Sequence, residues 1–354
     1  MSGGFADMLK SMENKSLSKL FSKVPSWSGH SLYVPSSLSY QQCSSEFTAR
    51  YKASLISPGA RVADLTGGLG VDTWAFSLGA SAVWYNERDT VLRQVVERNF
   101  AALGVSRAEF NSYDINPGRG DWQDALRSFR PDVVYLDPAR RDASGKKLFL
   151  LEDCSPDVVA LMPQLLEFAP LVMVKVSPMA DITMLRRRLS PNLTAIHVLG
   201  SGGECKELLC VLEARAFASS ESAVPDDVLI RLAEDSHVFQ PSSVILSEAK
   251  NLLFVPGAAM VKSGLGPGLC KMPYDEHLSH FGKFYEIIEE MPFASSRLKE
   301  LGRRYTQAEV TAKGLPLSSE ELRAKIRTKP GGSVHIFGCT VSGARRILVC
   351  RLFG

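Results

Sequence analysis

In the stretch VYLDPARRD, residues 134–142, Asp137 closes an apolar run and is followed at once by Pro138, Ala139 and two arginines. Proline fixes its own φ and restricts the residue before it. Asp137 is thus a carboxylate pinned at the tip of a buried strand, able to accept hydrogen bonds from a donor held above it. Arg140 cannot act as a base, because its guanidinium stays protonated; it can stack on a base or clamp a phosphate. Arg141, Lys146 and Lys147 follow in a loop that either meets phosphates or is an ordinary solvated surface.

A second group lies upstream. In VADLTGGLGVD, residues 62–72, a strand ends in Asp64 and opens through Thr66 into Gly67, Gly68 and Gly70 before a helix that carries Asp72. Glycines let the backbone turn sharply and approach a ligand closely, and the helix N-terminus offers unpaired N–H groups. The order G-G-x-G is neither the dinucleotide fingerprint nor the phosphate-binding G-x-x-x-x-G-K-[ST]. Glu87 follows Asp64 by 23 residues, the spacing from which a carboxylate takes ribose hydroxyls. Asp114, after a third strand, is placed to accept from an adenine amino group.

These residues need a scaffold that brings strand ends together. Between Gly59 and Ala216, apolar runs at 61–65, 82–86, 108–110, 132–136, 171–176, 193–199 and 206–214 alternate with helical stretches at 71–78, 90–102, 120–128, 155–168 and 181–189. That reads as an α/β domain, a mostly parallel sheet wrapped by helices. The last two runs are joined only by GSGGEC, too short for a crossover helix, so they form an antiparallel hairpin. LSYQQCSSEFTARYKASLI, residues 38–56, reads as one helix ended by Pro58 and Gly59. Glu46, Thr48 and Lys52 on it either close over a ligand or form its solvated face. Beyond Ala216, SSESAVPDD (219–227) looks like a linker. LLFVPGAAMVKSG (252–264) reads as a strand running into a helix, and 284–352 as strand, helix, strand, helix and hairpin. The expected organisation is a helical lead at 1–56, the α/β domain at 57–218, and two small α+β domains at 219–283 and 284–354.

The chain has 354 residues, 45% hydrophobic and 22% charged, the composition of a soluble globular protein. No stretch reaches the roughly 18 consecutive apolar residues of a membrane span, and the N-terminus lacks a signal-peptide layout, so a cytoplasmic location is expected. Seven scattered cysteines without a C-x-x-C pair, and six dispersed histidines, point to neither disulfides nor a metal site. Net charge is +3, but residues 295–354 hold twelve Lys and Arg against four Glu. Such asymmetry suits a nucleic-acid contact or a solvated basic surface.

With the DPAR segment and the terminal hairpin, the Asp64, glycine-loop, Glu87 and Asp114 set resembles the class I S-adenosyl-L-methionine-dependent methyltransferases over residues 57–216. The resemblance implies a Rossmann-like seven-stranded sheet. It also implies that Asp64 and the Gly67–Gly70 loop hold the amino-acid half of the cofactor, Glu87 the ribose and Asp114 the adenine; Thr66, Asp72, Arg88 and Ile115 are further cofactor-binding candidates. Members that methylate exocyclic amines read [DN]-P-P-[FYW], and their acid orients the amine lone pair at the methyl carbon. Asp137, Pro138 and Arg140 are the matching catalytic candidates, although Ala139 and Arg140 replace the second proline and the aromatic. Uridine C5 methyltransferases carry a cysteine nucleophile after the fifth strand, where this chain has KVSP with Val176, which argues against that chemistry. Cys154 is a conceivable substitute, with a structural cysteine the favoured reading. Lys175, Ser177, Arg141 and Lys147 are candidates for substrate contact, and Asp137 is a candidate partner for the Lys175 charge.

The blocks LSYQQCSSEFTARYKASLI, DLTGGLGVD, LDPARRD, KKLFLLEDCSP, VKVSPMADI and GECKELL also resemble a bacterial family of methyltransferases with a small ferredoxin-like domain and a C-terminal THUMP-like domain. That resemblance implies RNA binding and methyl transfer, and the expected reaction is on a base nitrogen of structured RNA, tRNA or rRNA. The alternatives are an RNA-binding protein whose methyltransferase domain binds the cofactor but is weakly active or inactive, and a methyltransferase of small molecules or proteins.

Overall fold

Short Val-rich and Leu-rich runs become the strands β1 (Arg61–Asp64), β2 (Ala82–Asn86), β3 (Ala108–Asn111), β4 (Val133–Leu136) and β5 (Leu171–Val176), all mutually parallel where they pair. Their near-continuous apolar character is that of strands buried on both faces. β6 (Leu193–Ser201) and β7 (Glu204–Glu213) form the expected hairpin, and β7 inserts antiparallel beside β5. The resulting order is β3-β2-β1-β4-β5-β7-β6, the seven strands expected; the short β8 (Leu229–Glu234) and β9 (His237–Val238) follow in the chain.

The computed structural model describes residues 14–118, 120–139, 151, 154–214, 228–235, 237–240, 252–341 and 343–353. Arg140, Arg141, Lys146, Lys147 and the linker at 219–227 lie outside them.

Helices α1 (Asn14–Lys23), α2 (Ser37–Gln42) and α3 (Glu46–Ser54) precede the sheet. The single helix expected over 38–56 is two, because Ser45 caps a new helix: its Oγ accepts from the Thr48 N–H at 3.2 Å. A serine hydroxyl satisfies one of the orphan donors of a helix start. Helices α4 (Val71–Ser77), α5 (Thr90–Ala102), α6 (Asp121–Phe129), α7 (Val158–Phe168) and α8 (Ile182–Leu189) alternate with the strands. The N-terminal lead packs Leu20, Trp27 and Ala49 against Leu69, Trp74 and Phe100, with Trp27 edge-on to Trp74.

Side chains alternate across a strand. Val62, Val83, Val133, Tyr135, Met173 and Leu209 therefore share one sheet face, where they pack with Phe76 of α4. The next residues of that alternation, Asp64, Asp137, Lys175 and Glu207, lie at the strand ends that carry the glycine loop.

The chain divides into two compact units, one of residues 1–199 and 207–230, the other of 200–206 and 231–354. In the second, β10 (Leu252–Pro256), α9 (Ala258–Ser263), β11 (Cys270–Lys271) and α10 (Glu276–Ser279) precede β12 (Gly282–Pro292), α11 (Ser295–Arg304), β13 (Glu309–Lys313), α12 (Ser319–Ile326), β14 (His335–Val341) and β15 (Ala344–Leu352). One six-stranded sheet, β11-β10-β12-β15-β14-β13, holds them, parallel only between β13 and β14. The boundary expected at 283/284 falls inside β12. Among the described residues, no helix is long and apolar enough to cross a membrane, and no group of three or more His, Cys, Asp or Glu could hold a metal ion.

Candidate active site

The sheet order reverses between β1 and β4, the place where open parallel sheets bind ligands at the carboxyl ends of their strands. Asp64 and Asp137 flank it. Asp64 is only 1% exposed; its Oδ1 accepts from the Thr66 N–H at 3.1 Å and its Oδ2 from the Thr73 hydroxyl at 2.6 Å. The residue therefore braces the glycine loop against α4. Burial pushes its carboxyl up to about 7, against the pull of those hydrogen bonds, and the nearby Asp72 and Asp137 add to the rise.

The glycines have separate reasons. A Cβ on Gly67 would sit 2.1 Å from the Tyr85 ring, whose hydroxyl donates to the Gly68 carbonyl at 2.6 Å. Gly70, with φ +83°, is the N-cap of α4 in left-handed conformation. Gly68, φ +52°, has only the Thr66 carbonyl oxygen, at 3.9 Å, within 4 Å of its Cβ position, so no side chain covers it. Its N–H donates to Glu87 Oε2 at 3.1 Å, while Glu87 Oε1 accepts from the Asp89 N–H at 2.9 Å. Glu87 thus ties the end of β2 to the loop, and burial raises its pKa.

Asn86, which sequence reasoning passed over, stitches the same edge. Its amide donates to the carbonyls of Leu65 and Tyr113, and its Oδ1 accepts from the Tyr113 N–H at 2.7 Å. That places Asp114, exposed, and Ile115, buried, beside the ends of β2 and β3. Arg88 is exposed and reaches Ser155 Oγ at 3.3 Å.

At the end of β4 the Asp137 N–H donates to Thr66 Oγ1 at 2.6 Å, so the glycine loop and the DPAR segment are joined by one hydroxyl. Pro138 is buried, and the Ala139 backbone exchanges two hydrogen bonds with Ser155. The Asp137 carboxylate, 33% exposed, receives the Lys175 ammonium at 2.6 Å, the pairing expected from the sequence. Burial pulls the Lys175 pKa down, but Asp137, Glu207 and Asp72 outweigh it and hold the lysine well above its ordinary range. Ser177, half-buried just past β5, accepts from the Met179 N–H.

Asp72 and Lys52 lie beneath the loop. Lys52 is 0% exposed and reaches Asp72 Oδ1 at 2.9 Å, Glu207 Oε1 at 2.7 Å and Ser44 Oγ at 2.8 Å. Asp72 Oδ2 accepts from Ser44 and from the Tyr135 hydroxyl. Burial raises the Asp72 pKa, but Lys52 and Lys175 override it and hold the group below the usual carboxylate range. Of the two readings open for Lys52, ligand closure and solvated face, neither describes this buried ion pair. Glu46 instead accepts from Ser26 and Arg50 on the outer side of α3, and Thr48 is buried.

A parallel sheet with β7 inserted antiparallel, acids at the ends of β1, β2 and β4, and a glycine loop at the reversal point is the Rossmann-like class I methyltransferase fold. Residues 282–352 match the family model described as THUMP domain-like. Over 99% of its length the chain is similar to a Porphyromonas gingivalis W83 protein described as a "putative methyltransferase", with 26% identity, 94% of that protein covered and a TM-score of 0.76. An rRNA methylase from Streptococcus thermophilus aligns with 47% of this chain and 93% of its own, at 11% identity and TM-score 0.33. A Streptococcus mutans protein of the first description, in complex with SAH, aligns with 48% of this chain and 96% of its own, at 11% identity and TM-score 0.34. No curated protein matches the chain.

Proposed function

We propose that the chain is an S-adenosyl-L-methionine-dependent methyltransferase that acts on a base nitrogen of structured RNA, tRNA or rRNA. The observation that carries this reading is the Asp137 N–H bound to Thr66 Oγ1 at 2.6 Å. It makes the loop suited to a nucleoside cofactor and the acid suited to an amine acceptor one rigid unit.

The residues present fit the cofactor. No side chain covers the Gly68 α-carbon, and the two oxygens of Glu87, each with one backbone donor, retain lone pairs for ribose hydroxyls. Asp114 and Ile115 would border the adenine, with Arg88 beside them. Asp64 and Asp72 would act from beneath, Asp64 by shaping the loop through Thr66 and Thr73. When bound, S-adenosyl-L-methionine supplies an electrophilic methyl group on a sulfonium sulfur.

Asp137 and the Pro138 carbonyl accept from the acceptor amine and fix its direction, and orientation of this kind supplies much of the rate in such displacements. No strong base is required of the protein if the proton leaves after transfer. The basic surface of the unit holding residues 282–352 would grip phosphates, and Arg140, Arg141 and Lys147 are separate candidates for such contacts. The exposed Ala139 offers no aromatic face to a base, which favours a second reading, an RNA-binding protein that binds the cofactor without transferring from it.

Calorimetry with S-adenosyl-L-methionine, then tritium transfer to RNA, protein and metabolite fractions from a strain lacking the gene, separates these readings. Label in RNA supports the first; cofactor binding with no label in any fraction supports the second. Label confined to protein or metabolites would replace both.

A further inference from the structure

We infer that Glu207 and Lys52 are positioning residues for Asp137, acting through Lys175; the inference rests on the reading of Asp137 as the acceptor-orienting acid. Glu207 divides its carboxylate between two lysines, with Oε1 2.7 Å from Lys52 Nζ and Oε2 3.9 Å from Lys175 Nζ. Lys175 passes the constraint on to Asp137 Oδ2 at 2.6 Å. Lys52 cannot yield, because Asp72, Ser44 and the Tyr135 hydroxyl at 3.4 Å hold it as well. The result is an alternating chain Asp72, Lys52, Glu207, Lys175, Asp137 that runs from α4 and α3 across β7 and β5 to the tip of β4.

The register explains how the sheet builds it. Lys175 lies opposite Leu209 across the antiparallel β5–β7 pair, so Glu207 is its diagonal neighbour on the same face, within reach of long side chains. Burying five charges gains little over an apolar core of equal volume. What it does provide is direction: with Oδ2 taken by Lys175, Asp137 Oδ1 has no hydrogen bond among the described residues and is the oxygen left for an acceptor. A lysine bound to Asp137 alone could swing about that one contact, whereas Glu207 holds its ammonium from a second side.

The charged and titratable groups that face Lys175 are Asp137, Glu207, Asp72, Lys52, Lys23 and Cys43. Removing the Glu207 charge takes away one of the three carboxylates that hold the proton on Lys175, while its burial remains. The Lys175 ammonium then lacks the attraction from its second side and is free to shift about Asp137 Oδ2, which loses its fixed anchor.

The test is Glu207→Gln in the full chain, with folding checked by circular dichroism and thermal melting. S-adenosyl-L-methionine affinity is read by calorimetry, and methyl transfer to RNA from the gene-deficient strain is followed as kcat and KM. The expected result is unchanged cofactor affinity and KM, with kcat lowered on the order of tenfold to a hundredfold as for a displaced catalytic group. Glu207→Asp, which keeps the charge on a shorter arm, should recover part of kcat. Wild-type kcat in the folded Glu207→Gln protein would overturn the inference. If that variant does not fold, unaltered kcat in Glu207→Asp does the same. If the wild-type protein transfers methyl to no fraction, the functional reading fails, and the positioning chain is still tested by NMR of carbon-13-labelled lysine. The Lys175 ε-carbon signal, identified by its loss in Lys175→Arg, should shift in Glu207→Gln, and an unmoved signal overturns the chain itself.

Discussion

The Lys175 ammonium lies 2.6 Å from Asp137 Oδ2, joining the ends of two neighbouring parallel strands at the rim of the sheet. Because Lys175 also faces Glu207 and Asp72, removing the Asp137 carboxylate leaves the lysine two buried counter-charges rather than none. Asp137→Ala is therefore expected to fold and to bind S-adenosyl-L-methionine as the wild type does, while methyl transfer falls by about a hundredfold or more. Single-turnover transfer of a tritiated methyl group beside calorimetry checks both halves. Wild-type turnover would remove Asp137 from the chemistry.

Lys52 is a stability residue as much as a positioning one. Lys52→Met keeps the volume of the aliphatic stem but leaves Asp72 and Glu207 without their shared cation. Breaking a buried ion pair from one side costs about 3–5 kcal/mol, so the urea midpoint should drop steeply. Arg127→Ala, which removes the exposed pair with Asp124, should change stability by about 1 kcal/mol or less. Equal effects from the two variants would contradict the burial described for Lys52.

Why Lys52 was opaque and Lys175 was not is a matter of context. Lys175 interrupts the apolar run LVMVKV, and a charge there demands a partner at the next strand end, which the DPAR acid supplies. Lys52 lies on the short helix EFTARYKAS, where apolar and polar residues mark no clear inner face, and its partner Glu207 is 155 residues away. Glu207 could have been found by counting: it continues the alternation Val211, Leu209 on the face that carries Lys175. The strands, their glycine loop and the final hairpin were legible because apolar runs and turn residues are local signals. The break at Ser45, the stitching by Asn86 and the Thr73 contact to Asp64 depend on which hydroxyl or amide meets a particular backbone group, and no periodicity encodes that.

Asp64 gives the site a pH signature. Its carboxyl titrates near 7 in the folded chain, raised by burial, and near 4 when unfolded. Between those values the unfolded state releases a proton that the folded state keeps. The contribution of Asp64 to stability is thus fully present below about 4 and is lost as pH rises through about 7. Unfolding free energies of wild type minus Asp64→Asn should fall across that window, and carboxyl NMR should place the midpoint near 7. Thr73→Ala, which removes a hydrogen bond to the ionised form, should move the midpoint higher; a midpoint near 4 in the wild type would refute the burial argument.

The basic surface of the second unit makes a separable prediction. Arg304 is bound to Glu289 and Arg297 to Glu300, so their charges are partly spent within the protein. Lys299 and Arg303 of α11, Lys325 of α12 and Arg327 just beyond it are exposed on helices anchored by Leu298, Leu301, Leu322 and Ile326. Deleting residues 284–354 would cut β12 and split the core shared by Leu253, Tyr285 and Phe337, so charge removal is the cleaner test. Replacing those four residues by Gln should weaken binding to gene-deficient-strain RNA at low salt. It should also flatten the dependence of log affinity on log salt by about 0.7–0.9 for each phosphate that the variant no longer neutralises. The thermal midpoint should stay put, since exposed charges contribute little to stability. An unchanged slope, measured by filter binding over a range of salt concentrations, would mean that RNA does not lie across these helices.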